Sequence, residues 1–210
     1  MRSPGRDWKP FALLLIDVQQ DFWGDEMAKS FPTFPLNIGS LLGLCRTEGI
    51  EVIHLRASFT PDMSDWMLKY KLRGRIPCVQ GTPGIETMSF ALDEPGEVVI
   101  VKHTFDGFHG TGLLEYLRQQ GKRFVLTAGL VTSTCVLFTT VSAAQNGFLT
   151  AVVADCCADE PSAHEQTLDR YQFIFDRTTL DAIPASHRAW LVDLEKLDQP
   201  KAKTQKPQGT

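Results

Sequence analysis

The sequence has no apolar run approaching the length that crosses a bilayer, and its opening residues, MRSPGRDWKPF, carry charges where a secretory leader would carry an apolar stretch. Neither a membrane partner nor export is expected, and the reading is a cytoplasmic protein. There is no basic face either: 21 Lys and Arg are interspersed with 25 Asp and Glu, for a formal charge of -4. That leaves little to hold a phosphate backbone, so the expected partner is a small molecule and not nucleic acid. The five cysteines, Cys45, Cys78, Cys135, Cys156 and Cys157, are odd in number and contain no pair with zinc-ribbon spacing. Such usage suits free thiols in a reducing compartment.

What is present is 43% hydrophobic residues, enough for one sizeable core, arranged as alternating strand and helix signals. FALLLI (11–16) is a short continuous apolar run, the mark of a strand buried on both faces. NIGSLLGLCRTEG then shows helical spacing and stops at Gly49. The alternation continues with strands over 50–57 and 97–102, a helix in TGLLEYLRQQG capped by Thr111, and a strand in KRFVLTAG. A helix from Cys135, a strand in LTAVVADCC, and helices in PSAHEQTLDRYQFIFD and ASHRAWLVDLEKL complete the pattern, with a short strand expected over 179–183. Parallel strands need helical crossovers, so this order implies a parallel sheet covered on both faces. One folded domain is expected over 1–195, followed by a polar, disordered tail over 196–210. The segment 58–96, with one Trp, four prolines and no clear strand, reads as a lid with a short helix.

Parallel sheets bind ligands beyond the carboxyl ends of their strands. Three chemically able residues fall there: Asp17 after FALLLI, Lys102 closing EVVIVK, and Cys135 shortly after FVLTAG. A carboxylate behind five apolar residues loses much of its water, and Lys102 is the candidate cation to offset that. At a helix start near an ammonium, Cys135 is expected to have a lowered pKa, with Asp17 as its general base. The same helix start offers free N–H groups to an oxyanion.

Each position also has a plainer reading. Asp17 or Asp21 could cap a turn, Lys102 could be a surface lysine, and His103 raises a rival Cys–His dyad, although successive strand residues face opposite sides. Phe22, Trp23, Phe105 and Phe108 are candidate substrate-pocket walls or plain core. Arg56 could hold a substrate carboxylate or pair on the surface, and Arg73 and Arg75 are either solvated charge or an anion site.

LLLIDVQQDFW resembles the opening of the isochorismatase-like cysteine hydrolases, and IVKHTFDGFHGTGLLEYL and GLVTSTCVLFTT resemble that family's second and third signatures, in order from about Lys9 to Asp159. The resemblance implies a Rossmann-like three-layer α/β/α sandwich with a mainly parallel six-stranded sheet and an Asp17–Lys102–Cys135 triad, with Asp21 in the supporting network. It also implies a cis peptide at Leu130–Val131, an oxyanion hole made by the N–H groups of Val131 and Cys135, and a homo-oligomer. The nicotinamidase branch carries an Asp-x-His metal cluster after its second strand, where this chain reads His54-Leu55-Arg56-Ala57-Ser58-Phe59, so neither a metal nor any other cofactor is expected. CVQGTPG (78–84) resembles the ureido- and biuret-type branches. The expected activity is cysteine-dependent hydrolysis of a C–N bond in a small amide or ureido compound. The alternatives are isochorismate-type enol-ether hydrolysis or a non-catalytic member of the family.

Overall fold

The structure is a computed structural model that describes residues 6–199. Its sheet has six strands, β1 (Phe11–Ile16), β2 (Glu51–Ala57), β3 (Val98–Lys102), β4 (Phe124–Leu130), β5 (Leu149–Ala158) and β6 (Asp176–Thr178). They lie in the order β3-β2-β1-β4-β5-β6, and every pairing is parallel. The chain winds outward from β1 in one direction and, after crossing back to β4, in the other. The place where the winding reverses, between β1 and β4, opens the crevice in which such sheets bind ligands.

The central strands follow from their composition. All six residues of β1 and all seven of β4 are buried, which is why each appears in the sequence as an unbroken apolar run. Helices α1 (Asp25–Ser30), α2 (Phe34–Glu48), α3 (Leu68–Arg73), α4 (Leu113–Gln119), α5 (Leu137–Gln145), α6 (Pro161–Arg170) and α7 (Ile183–Asp198) connect and cover the strands. On α7, Trp190 packs at a tilt 4.7 Å from Phe124 and 6.2 Å from Phe11, covering the starts of β1 and β4.

Several boundaries differ from expectation. α2 begins three residues early at Phe34, with Pro35 in its first turn, where the missing N–H costs nothing. α4 starts at Leu113 after an N-cap at Gly112, while the Thr111 hydroxyl accepts the Leu113 N–H at 3.3 Å. α6 stops at Arg170 rather than running to Asp176. The last strand is Asp176–Thr178, not 179–183; two of its three residues are exposed, so no apolar run announces it, and Leu180–Ala182 instead forms a turn leading into α7. α7 continues past the expected limit at 195 to Asp198, and positions 200–210 of the expected tail lie outside the described residues.

Gly129 holds the junction of β1 and β4. Its φ is 122°, and a Cβ there would lie 2.0 Å from the Ile16 carbonyl oxygen. Only glycine lets the two backbones come this close. At the same level the β5 partner jumps from Val152, opposite Thr127, to Cys157, opposite Gly129, a bulge that carries the end of β5 forward.

The edge strand β3 is secured at its start by Glu97. This carboxylate accepts hydrogen bonds at 2.9 Å from Arg46 Nε and Nη2, and His54 Nε2 lies 2.9 Å away. Burial works to raise the Glu97 carboxyl, but Arg46, the Glu94 N–H and His54 outweigh it and hold it at about 2, against an ordinary 4.5. A depressed carboxyl stabilises the fold above its unfolded pKa and loses that contribution as pH falls through its folded one. Glu97→Gln should therefore cost on the order of 2 kcal/mol at neutral pH. In urea titrations the difference from the parent should fade between about pH 4.5 and about pH 2. A difference that does not change with pH would show that packing, not charge, is what Glu97 contributes.

Candidate active site

Asp17 leaves β1 with φ 51°, a left-handed turn that points its side chain across the sheet edge. Its N–H donates to the Leu55 carbonyl, and Oδ1 accepts the Ala57 N–H at 2.9 Å. Gln19 braces the same point: its Oε1 accepts the Ala57 N–H, and its Nε2 donates to the carbonyls of Ala57 and Ile85. The other carboxylate oxygen, Oδ2, lies 2.6 Å from Lys102 Nζ. The contact is a tight, fully buried ion pair. Lys102, the last residue of β3, is 1% exposed and also donates to the Thr104 carbonyl at 2.9 Å.

Cys135 does not begin an α-helix. It lies in a π-helical turn, Thr132–Val136, that follows a cis peptide between Leu130 and Val131 and precedes α5. The turn is held from several sides. The N–H groups of Thr134 and Val136 both donate to the Val131 carbonyl, and the Ser133 N–H donates to Asp159 Oδ2 at 2.7 Å. The Thr132 hydroxyl pairs with buried His164 Nδ1 at 2.8 Å. Sequence reasoning does not find Asp159 and His164. The available signal is that Asp159 follows the apolar strand β5 much as Asp17 follows β1.

Burial is the strongest influence on all three groups. It pushes the Asp17 carboxyl up against the pull of Lys102 and of hydrogen bonds from Cys135 and Ala57. It works to lower the Lys102 ammonium, but Asp17 and Cys135 outweigh it and the net direction is up. It drives the Cys135 thiol well above its ordinary value, and the Asp17 carboxylate adds to this, with Lys102 opposing. The lowered thiol pKa expected from the sequence is thus reversed. The thiol is enclosed beside a carboxylate whose cation is already engaged, and both its burial and that carboxylate favour the neutral thiol.

Above these groups lies a narrow cavity of about 30 Å³, with Asp17, Lys102 and Cys135 at its base. Phe22, Phe59 and Phe105 form its aromatic walls, and the lid contributes Met67, Tyr70, Ile76 and Pro77. The lid is pinned by Asp21, whose Oδ2 accepts the Cys78 N–H at 2.6 Å and against whose carboxylate Gly84 packs too closely for any side chain. A larger open groove of about 350 Å³ lies at the starts of β4 and β5, but no cysteine or histidine lines it.

A family model described as the isochorismatase domain matches residues 11–181. The chain belongs to the isochorismatase family. It is 32% identical to maleamate amidohydrolase of Pseudomonas putida over 75% of this chain and 76% of that one. It is 28% identical to nicotinamidase/pyrazinamidase of Mycobacterium tuberculosis, over 70% of this chain and 86% of the relative. Among solved structures, an isochorismatase family protein from Desulfovibrio vulgaris superposes with a TM-score of 0.77 at 29% identity, covering 86% of this chain and 98% of that chain. As an isochorismatase-family protein with amidohydrolase relatives, it is a hydrolase with the α/β fold of that family.

Of the expected substrate contacts, Phe22 and Phe105 line the cavity, whereas Trp23, Phe108 and Arg56 do not. Trp23 stacks 4.8 Å from Phe34, and Phe108 is buried against Phe148. Strand alternation turns Arg56 to the face opposite Ala57, where Nη2 meets Asp93 at 2.5 Å. His103 likewise leaves the site: its Nδ1 donates to the Ser58 carbonyl at 2.6 Å. The metal cluster of the nicotinamidase branch has no fitting donor set here, since His54 is occupied by Glu97 and no three His, Cys, Asp or Glu side chains converge among the described residues.

Proposed function

We propose that this hydrolase cleaves a C–N bond of a small amide or ureido compound, with Cys135 as nucleophile, Asp17 as proton carrier and Lys102 as the cation that fixes Asp17. The observation carrying this reading is a buried Asp17–Lys102 ion pair coupled to a buried thiol at the base of a cavity with aromatic walls. As the thiol sulfur attacks the carbonyl carbon, its proton passes to Asp17 Oδ2, so no free thiolate has to persist in an environment that disfavours it. The N–H groups of Val131 and Cys135 receive the oxyanion. When the tetrahedral intermediate collapses, the C–N bond breaks and Asp17 returns the proton to the departing nitrogen, which leaves as ammonia or amine. Water then attacks the thioester while Asp17 takes its proton, and the acid departs as that proton restores the thiol.

A screen of small amides, ureides and carbamoyl compounds for ammonia release, with isochorismate alongside, should find a nitrogen substrate. With that substrate, hydroxylamine present during turnover should divert part of the product to hydroxamate. Rapid acid quenching should reveal an acyl mass on the peptide containing Cys135. Turnover with neither hydroxamate nor acyl peptide would remove the covalent route.

A further inference from the structure

Among the described residues, the walls above Cys135 hold no cation that a substrate could use. Lys102 points into the base of the cavity, but its bonds go to Asp17 and the Thr104 carbonyl, and its remaining neighbour is the Cys135 thiol. Asp17 and Lys102 together add no net charge. Among the described residues, no basic side chain other than Lys102 lines the cavity. Arg56 faces the opposite side of the sheet on Asp93, and His103 stands behind Phe59 on the Ser58 carbonyl. Arg75, although next to Ile76, is exposed and lies outside the cavity lining. The polar groups on the wall are neutral, and the Thr104 hydroxyl already donates to the Asp106 carbonyl.

We propose, resting on the amidase reading above, that the substrate is an uncharged amide whose acyl group is a small aromatic or aliphatic unit, and that amides bearing a carboxylate on that acyl group are rejected. A carboxylate entering this cavity gives up its water for the faces of Phe22, Phe59 and Phe105 and meets no counter-ion in return. It also approaches the Asp17 carboxylate, which is already paired with Lys102. An uncharged ring or alkyl chain gains from the same walls by losing its apolar contact with water.

The test uses matched pairs that differ by one carboxylate: benzamide against 4-carbamoylbenzoate, and butyramide against succinamate. For the intact protein, kcat/KM for ammonia release should favour the uncharged member by at least about 100-fold. Binding of each pair to Cys135→Ala, followed by ligand-observed NMR, should show the same order of preference without any chemistry. Ile76→Lys, which adds a cation to the wall, should raise kcat/KM for the anionic member at least about tenfold. Comparable hydrolysis of both members by the intact protein would overturn the proposal while leaving the amidase chemistry standing. If neither member is hydrolysed but the uncharged one alone binds, the preference holds and it is the amidase chemistry that fails. Equal binding, or no binding by either member, overturns the preference.

Discussion

Cys135→Ala should lower kcat/KM for ammonia release by at least about 10⁴-fold, because the variant loses the atom that forms the acyl intermediate and only the oxyanion donors and the walls remain. The urea midpoint should shift little, since one sulfur is removed from the base of an existing cavity. Asp17→Asn should fall by a similar factor, because the amide holds the position but cannot carry the proton. The two losses should not add: a thiol without its base and a base without its thiol stop the same step. The pH profile of the parent carries a second signature. Asp17 must be ionised to act, and burial raises its pKa, so the acid limb should lie above the ordinary carboxylate value of 3.8. The alkaline limb should lie far to the basic side, because Lys102 is held above its ordinary 10.5. More than a tenth of parental activity in Cys135→Ala would end its assignment as nucleophile.

Gly129→Ala should destabilise the protein by at least about 4 kcal/mol, or prevent folding. The added carbon would be placed 2.0 Å from the Ile16 carbonyl oxygen and 2.8 Å from its nitrogen, and backbone at the centre of the sheet cannot yield as a flexible side chain can. A control separates the collision from the dihedral cost. Gly147 also has a left-handed φ, 93°, but nothing lies within 4 Å of its would-be Cβ. Gly147→Ala should therefore cost about 1 kcal/mol. Equal losses in the two variants, read from urea unfolding or from soluble yield, would mean that the contact at Ile16 is relieved by movement.

The central part of the site is readable from the chain because burial on both faces writes itself as an unbroken apolar run. FALLLI and FVLTAG mark the middle of the sheet, and the first polar residue beyond FALLLI is Asp17 at the site. Lys102 is found in the same way, although β3 alternates between half-buried and exposed residues. What cannot be read depends on contacts between distant segments. Helical spacing from Cys135 onward gives no sign that the first turn is wound as a π-helix, because Asp159 and His164 help shape it from far along the sequence. Trp23 and Phe22 are adjacent and chemically alike, yet one stacks on α2 and the other faces the cavity. Arg56 finds its partner in Asp93, within a lid whose course no periodicity reveals.

β3 is the outermost strand on its side of the sheet, with Val99 and Val101 turned partly toward water, and still it supplies the ammonium at the centre. The charge that neutralises Asp17 is therefore carried by a strand with a single neighbour, β2. If β3 frays, a lone carboxylate is left in the interior while the other five strands stay paired. On the proposed mechanism, turnover would then stop before the sheet is lost. The enzyme's working range would then be narrower than its folded range, with the limit set at a sheet edge that Glu97 holds from the opposite end of the strand.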